Sequence, residues 1–251
     1  MRHVLLRPRW LAGHLLALAL VVLFVNLGLW QLRRLEQRRA HVAQVVERMG
    51  LPPAPIGQVL AEGGELPEYR AVTAVGEFDS SEEVLLRGRT RDGQPGFHVL
   101  TPLVLSRAGL AGSAVLVERG WVPYAMDRVP VAEAPPPAGK VTVTGRLRRP
   151  TGGRAGSFGP RDPAEGELVQ AYYVDVERLQ GQMPYPLVEA YVELTSVTPP
   201  HPGDLPLPLP EPDLGEGPHL SYAVQWFSFA AIGIVGYFFL LRRAARDEGR
   251  G

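Results

Sequence analysis

Two long apolar runs lie near the ends of the chain, and the stretch between them alternates polar and apolar residues. The first run covers 10–32 and the second covers 219–241. The strongly polar members of the first run are His14, Asn26 and Gln31. At about 1.5 Å per residue, each run is long enough to cross a hydrocarbon core of about 30 Å. The pattern therefore predicts one transmembrane helix near each end of the chain.

A cleaved signal peptide is the alternative interpretation of the first run. The tripeptide 17–19 loosely resembles a cleavage site, but the apolar run continues well past it, which favours a retained helix. The leader before Trp10 is too short for an organellar transit peptide. We therefore predict a bacterial plasma-membrane protein with two spans.

Positive charges at the second run predict the orientation in the membrane. The forty residues before it contain no Lys or Arg, whereas Arg242, Arg243, Arg246 and Arg250 follow it. Because cytoplasmic flanks are enriched in Lys and Arg, the tail 242–251 is predicted to be cytoplasmic. Two spans then place the N-terminus, 1–9, on the same side, and the middle domain faces the periplasm or the cell exterior. Arginines 33, 34, 38 and 39 would lie on that outer side, where lipid phosphates or an anionic ligand would account for them.

The residue pattern of the segment between the spans predicts mainly β-strands. Helical patterning continues through 33–50, and the proline-rich 51–57 ends it. Seven strand-like runs follow, at 69–78, 83–89, 97–105, 114–122, 141–147, 168–174 and 187–194. Asp175 is placed to cap one short helix before Gly181. The domain 51–198 is therefore predicted to be mainly β, an antiparallel barrel or sandwich with some α. The proline-rich 199–218 reads as an extended tether back to the membrane.

The amino-acid composition argues against several classes of function for this protein. Among 251 residues, 26 are basic and 26 acidic, so no global charge attracts nucleic acid. The chain has no cysteine, which excludes disulfides, thiolate catalysis and cysteine-ligated metal sites. The glycine-rich 152–159 lacks the Lys-Ser/Thr ending of a phosphate loop and is interpreted as a surface loop. The six histidines show no HxxxH or HExxH spacing, so a multi-histidine metal site is not indicated.

One histidine can still bind a metal that brings its other ligands with it, as haem does with its pyrrole nitrogens. His219 is the candidate, because it opens a line of small and aromatic residues along the second helix. The line consists of His219, Ala223, Trp226, Ala230, Gly233 and Tyr237. It either receives a flat apolar macrocycle beneath His219 or packs closely against the first helix.

The first helix has a polar line of its own, which consists of Asn26, Trp30, Arg33 and Gln37. Trp30 and Trp226 are candidates for contacts with the same macrocycle or for interfacial anchors. Arg33 and Arg34 are placed to pair with propionates or with phospholipid. His14, an ionisable residue inside the first span, is a functional candidate by its position alone, at the opposite end of the membrane from His219.

Six ordered blocks of sequence resemble the surfeit locus protein 1 family, assembly factors of haem-copper cytochrome c oxidase. Those that bracket the domain are NLGLWQLRRLEQR at 26–38 and HLSYAVQWFSFA at 219–230. Those between them are VGEFD at 75–79, GFHVLTPLVL at 96–105, VLVERGWVP at 115–123 and VTGRLRRP at 143–150. The resemblance covers 10–243. Glu118 is a departure, because the family often has a neutral residue before its RGW motif.

This resemblance implies a protein that helps haem a reach, or stay in, oxidase subunit I, without catalytic turnover. It implies haem a binding at the histidine that opens the second helix motif, which is His219 here. Trp226, Trp30 and Arg33 are further candidate contacts because of their positions on the two helices, not because of the resemblance. Subunit I and haem a synthase are the expected partners, beside the lipid bilayer. The alternative is a scaffold that binds oxidase subunits without haem. Its binding surface would be 119–123 and the strand edges, unless Arg119, Gly120 and Trp121 only form a buried strand end.

Overall fold

A computed structural model describes residues 8–107, 109–152 and 159–248. Most of the predicted tail 1–9, the end of the predicted tail 242–251 and most of the predicted loop 152–159 lie outside these residues. In chain order the elements are α1 (Pro8–Gly50), β1 (Ala54–Pro55), α2 (Ile56–Ala61), β2 (Ala71–Phe78), a 3-10 turn (Ser80–Glu82), β3 (Val84–Arg91), β4 (Gln94–Leu105), β5 (Ala114–Pro123), β6 (Lys140–Arg148), β7 (Gln170–Ala171), α3 (Val176–Gln180), β8 (Leu187–Thr198) and α4 (His219–Glu248).

The chain divides into two compact units. A helix-pair unit comprises Met1–Gln44 and Asp213–Gly251, and a β unit comprises Val45–Pro212. Both long helices contain apolar stretches long enough to cross a membrane. Their apolar side chains are largely uncovered by protein, as Leu15 at 68% and Ile232 at 67% exposure illustrate. This exposed apolar surface fits a membrane protein, because lipid would cover it.

The β unit is built on an eight-stranded mixed sheet, and the prediction of a purely antiparallel barrel or sandwich was wrong in this respect. Most neighbouring strands are antiparallel, but β5 and β8 run parallel, as do β3 and β7, and β1 and β2. The parallel arrangement of β5 and β8 is possible because β6, β7 and α3 lie between them in the chain and supply a long return connection. Alternation of polar and apolar residues predicts strands but carries no information on their direction.

Five of the strands pair in a circle, in the order β2, β6, β8, β5, β4 and back to β2. The circle closes because β4 is shared: residues 94–100 pair with β3, and 103–105 pair with β2. Strands β1, β3 and β7 extend the sheet beyond the circle, so it is not a simple barrel. The largest apolar cluster takes side chains from all five strands, among them Val72, Leu103, Val117, Val143 and Val192, each fully buried.

The short helix α3 forms where the sequence predicts it. Asp175 is its N-cap and accepts a hydrogen bond from the Arg178 backbone N–H at 3.0 Å, which satisfies one free donor of the first turn. Between β8 and α4, Leu207 exchanges two backbone hydrogen bonds with Trp121, each 2.8 Å long. This bridge attaches the proline-rich segment to the end of β5, beyond the point where β8 has left that strand.

Candidate functional site

His219 begins helix α4 and faces α1 within the helix-pair unit. Its Nδ1 lies 2.9 Å from the side-chain oxygen of Gln31. Gln31 is 9% exposed, and His219 is half-buried. A glutamine held among apolar side chains needs a polar partner, because an unpaired amide in such surroundings costs free energy. The pair therefore stabilises the contact between the two helices at this level.

The Gln31 contact also decides which nitrogen of His219 is available. The Gln31 oxygen can only accept a hydrogen bond, so the Nδ1 atom facing it carries the proton. Nε2 is then the ring nitrogen that can offer a lone pair. Metal-binding histidines usually have this arrangement, in which an acceptor orients one nitrogen while the other ligates the metal.

The predicted line of small residues on α4 packs against α1. Ala223 and Ala230 are 1% and 4% exposed. Trp226, between them, stacks on Phe24 of α1 with ring centroids 5.8 Å apart. Close approach continues at Gly28, where an added Cβ would lie 2.6 Å from the Phe227 ring. At Ala223 and Ala230, the structure therefore shows the packing alternative rather than an open apolar surface.

Trp30 and Arg33 lie on a different face of α1. At about 100° per residue, Trp30 is roughly a quarter turn or more from Gln31 and the other residues that face α4. Trp30 is 47% exposed, and its ring contact is with the Arg34 guanidinium, 6.0 Å from the ring centroid. Arg33 is exposed. The structure therefore brings His219 to Gln31 and Trp226 to Phe24, but it does not bring Trp30 or Arg33 to His219.

Gln31 is the residue that was not among the predicted site residues. The available signal was its polarity within an apolar run, directly after Trp30 and two residues before Arg33. A helical wheel shows which residues share a face, but it does not show which face meets the second helix. Identifying the Gln31 face, rather than the Trp30 and Arg33 face, as the one that meets α4 therefore required the structure of the helix pair.

His14 has a partner in the second helix. Its Nδ1 is hydrogen-bonded to the Tyr237 hydroxyl, and the two rings meet edge to face with centroids 5.8 Å apart. Tyr237 also lines an apolar groove of about 360 Å³ between the helices. His14 and Gln31 are 17 positions apart, about 25 Å along a helix, so His14 and His219 serve separate ends of the helix pair.

The β unit contains a second set of buried polar side chains, at the RGW motif. Arg119 Nη2 lies 2.6 Å from Glu83, its Nε donates to Thr101 at 2.8 Å, and its Nη1 donates to the Ala134 carbonyl at 2.9 Å. Glu83 also accepts the Val131 N–H at 2.9 Å. Burial lowers the pKa of Arg119, and the Glu83 charge opposes that shift. With 0% and 1% of their side chains exposed, the pair has a structural role and no access to solvent.

Glu118, the departure from the family pattern, is paired as well. Its carboxylate lies 2.5 Å from His98 Nδ1 on the neighbouring strand β4. Glu118 is also paired in register with Glu193 on the other neighbouring strand, β8. Burial raises the pKa of Glu193, while Arg148 and Arg146 act to lower it. Over the described ranges, no group of three or more His, Asp or Glu side chains is placed to hold a metal ion.

Two helices able to cross a membrane and a mixed β-sheet unit between them define a class of membrane-anchored proteins with a folded β domain. Residues 18–231 match the sequence profile of the SURF1 family, and the chain belongs to this family. It is 34% identical over 257 residues to an uncharacterized SURF1-like protein of Mycobacterium tuberculosis, covering 98% of this chain and 90% of that protein. To Surfeit locus protein 1 of Mus musculus it is 27% identical, covering 82% of this chain and 68% of that protein.

A third relative carries a functional name. The cytochrome oxidase assembly protein SHY1 of Saccharomyces cerevisiae is 31% identical over 108 residues. That alignment covers 43% of this chain and 27% of the yeast protein.

Proposed function

We propose that this protein is an assembly factor for haem-copper cytochrome c oxidase, and that it binds haem a at His219 and assists its delivery to, or retention in, subunit I. Membership of the SURF1 family and the similarity to a yeast protein named for cytochrome oxidase assembly support the first part. The second part depends on His219. Subunit I and haem a synthase are the proposed protein partners.

The observation that carries the haem proposal is the contact between His219 Nδ1 and Gln31. It orients the imidazole and leaves Nε2 as a free ligand nitrogen at the end of a helix pair. Haem would bring its own pyrrole nitrogens as the other ligands, so one histidine is sufficient. His219 would hold the iron, and Gln31 would keep the ring in the tautomer that can do so. Because Trp30 and Arg33 face elsewhere, they are not needed for this contact.

We further propose that the protein resides in a bacterial plasma membrane with both termini in the cytoplasm and the β unit on the outer side. The absence of Lys and Arg from 180–219 and the arginines that follow the second span support this orientation. Reporter enzymes fused after residue 50 and at the C-terminus test it. The proposed orientation requires activity of an exported reporter at the first position only.

A scaffold that binds oxidase subunits without haem is the second candidate. It is favoured by the buried Ala223 and Ala230, because α1 already covers α4 at these two positions. On this reading, the His219–Gln31 pair only fixes the packing of the two helices. The two candidates predict the same membrane location and the same protein partners, so they differ in bound haem alone.

The deciding experiment is an absorption spectrum of detergent-purified protein from cells that make haem a. Wild type is compared with His219→Ala and with His41→Ala, which removes a different, exposed histidine of α1. We expect a haem a spectrum in wild type and His41→Ala, and at least a tenfold loss in His219→Ala. Gln31→Leu is expected to lower the haem occupancy less than His219→Ala does, because it removes only the hydrogen bond that orients the imidazole.

Equal haem occupancy in wild type and His219→Ala would contradict the ligand assignment. Colourless wild-type protein that still copurifies with subunit I would favour the scaffold. The copurified subunits are identified from the same preparation, so one purification separates the two candidates.

A further inference from the structure

One exposed face of α1 carries two arginines and a tryptophan. Trp30, Arg33, Arg34 and Gln37 follow each other at spacings of three and four residues, which places them on one side of the helix. All four side chains are exposed. Arg34 is within 3.3 Å of the Gln37 side-chain oxygen and stands over the Trp30 ring. Arg33 makes no hydrogen bond or ion pair with any other described residue.

The next two arginines of α1 are engaged by the protein itself. Arg38 donates to the backbone carbonyls of Asp213 and Gly215, at 2.6 and 2.9 Å. Arg39 makes a bidentate contact with the Glu216 carboxylate, in which Nε and Nη2 donate at 2.8 and 2.9 Å. These contacts turn Arg38 and Arg39 toward the segment that enters α4. Their charges are therefore largely compensated within the helix-pair unit.

Arg33 and Arg34 have no such compensation. Glu36, the nearest acid along the helix, forms no ion pair with either of them within the described part of the chain. The two guanidinium groups thus present uncompensated positive charge on the Trp30 face. Compensation has to come from a molecule outside this chain.

The position of these charges along α1 identifies that molecule. The apolar run ends at Leu32, so Arg33 and Arg34 are the first charged residues beyond the hydrocarbon core. Trp30 lies one turn inward, at the depth where tryptophan meets the headgroup region. Guanidinium groups bind phosphate oxygens through paired N–H donors, which suits a lipid phosphate at this depth.

We infer that Arg33, Arg34 and Trp30 form a binding surface for the headgroup of an anionic phospholipid. The arginines contact its phosphate and the indole packs against its glycerol and upper acyl chain. A lipid with net negative charge is preferred over a zwitterionic one, whose own cation already compensates the phosphate. This surface goes beyond the proposed haem function and does not depend on it, since it lies on another face of α1.

Quenching of Trp30 fluorescence by brominated lipid tests the inference in full-length, haem-free protein reconstituted into vesicles. Trp10→Phe and Trp226→Phe remove the other tryptophans of the two long helices, and Trp121 is 4% exposed within the β unit. One set of vesicles carries brominated phosphatidylglycerol in phosphatidylcholine. The other carries brominated phosphatidylcholine in phosphatidylglycerol at the same mole fraction. The two quenching curves give the relative association constant of the lipids beside Trp30.

We expect phosphatidylglycerol to be favoured by about 25-fold, since each of the two arginines contributes about fivefold near an anionic surface. Arg33→Gln with Arg34→Gln should bring the ratio close to one. The matched control is Arg38→Gln with Arg39→Gln, which removes the same charge from the same helix and should leave the ratio unchanged. If the double variant does not reconstitute, the single variants Arg33→Gln and Arg34→Gln should each remove about half of the preference on a logarithmic scale.

Three results would overturn the inference. The first is equal quenching by the two lipids in wild type, which would indicate that Arg33 and Arg34 bind an acidic partner protein and not a lipid. The second is a preference that survives loss of Arg33 and Arg34. The third is an equal loss in the Arg38 and Arg39 control, which would mean that total charge, not this surface, selects the lipid.

Discussion

Glu83 and Arg119 form an ion pair that is almost completely shielded from solvent, with 1% and 0% of their side chains exposed. Such a pair adds little net stability relative to an apolar pair, because removing both charges from water is costly. Removing one partner is different, since the other charge remains buried without compensation. Thr101 and Val131 donate to different oxygens of the Glu83 carboxylate, and an amide at this position keeps only one of these two acceptors.

We therefore predict that Glu83→Gln lowers the free energy of unfolding by about 3–5 kcal/mol. Urea denaturation of the detergent-solubilised protein, followed by circular dichroism of the β unit, measures the change. The matched control is Glu65→Gln, which removes a carboxylate from the exposed pair with Arg149. Its unfolding midpoint should stay close to that of wild type, because exposed ion pairs contribute little. Equal midpoints for the two variants would contradict the structural role of the buried pair.

His201 is the other unusual residue of the β unit. Both of its ring nitrogens are shielded from solvent and lack a well-formed hydrogen bond. Burial lowers the pKa of His201 to about 4, the charge of Arg119 lowers it further, and the Pro135 carbonyl opposes the shift. The native state therefore holds a neutral imidazole at the start of the proline-rich segment.

The pH dependence of stability follows from this depressed pKa. In the unfolded chain a histidine titrates near 6.5. Between that value and about 4, the unfolded state binds a proton that the native state does not, so stability falls as the pH falls through this range. His201→Phe removes this contribution. We expect its unfolding midpoint relative to wild type to rise steadily from neutral pH to about pH 4. A difference that is independent of pH would show that His201 is protonated in the native state as well.

At the scale of elements, the pattern of polar and apolar residues located the long strands well. The predicted strand 141–147 is β6 (Lys140–Arg148), where the inward side chains of Val141 and Val143 are two positions apart. The predicted strand 114–122 is β5 (Ala114–Pro123), whose residues 114–122 are all buried. The predicted strand 168–174 is reduced to the two-residue β7. Its apolar residues Leu168 and Val174 are buried, but they pack around α3 and not in a continuous ladder. Apolar periodicity records burial, and burial does not require strand pairing.

The attachment of the proline-rich segment depends on one glycine. Gly120 has φ near +149°, and a Cβ at this position would lie 2.3 Å from the Leu207 carbonyl oxygen. That oxygen accepts the Trp121 N–H in the bridge. No side chain can be added at residue 120 without moving Leu207 away from β5.

We predict that Gly120→Ala opens this bridge and leaves β5 paired with β4. Hydrogen exchange measured by mass spectrometry should show the Trp121 and Leu207 amides exchanging at least tenfold faster, as expected for a local opening. Gly88→Ala is the control, because Gly88 also has positive φ, at +71°, but has open space around its Cβ position. It tests backbone strain without the clash. Unchanged protection of Leu207 in Gly120→Ala would contradict the steric argument.

For the whole molecule, the sequence was informative about the two long helices and the β-rich middle, and less so about contacts between elements. The periodicity predicts that His219 and Trp226 share one face of α4, and both lie on the α1 side. The α1 face predicted to accompany them, at Trp30 and Arg33, is a different one from the face that carries Gln31. Helical periodicity fixes faces within one helix, but the rotation of one helix relative to another depends on packing, here at Gly28 and Ala223.

The division into two units leads to a prediction for the isolated β unit. The three apolar clusters among the described residues of this unit all lie within 45–212, including Ile56 near one end and Leu205 near the other. Burial of a contiguous apolar core is the main source of domain stability. Residues 45–212 expressed without the long helices should therefore form a water-soluble domain that unfolds cooperatively in urea.

A shorter fragment, 45–198, provides the matched comparison. It keeps every strand of the sheet but lacks the proline-rich residues that carry Leu205, Leu207 and Glu211. Loss of Leu207 leaves the end of β5 without its bridge, and loss of Glu211 removes a partner 3.2 Å from Arg146. We expect the shorter fragment to unfold at a clearly lower urea concentration while keeping a similar circular dichroism spectrum. Equal midpoints would mean that the proline-rich segment is only a connection, whereas aggregation of both fragments would mean that the core needs the membrane helices in order to fold.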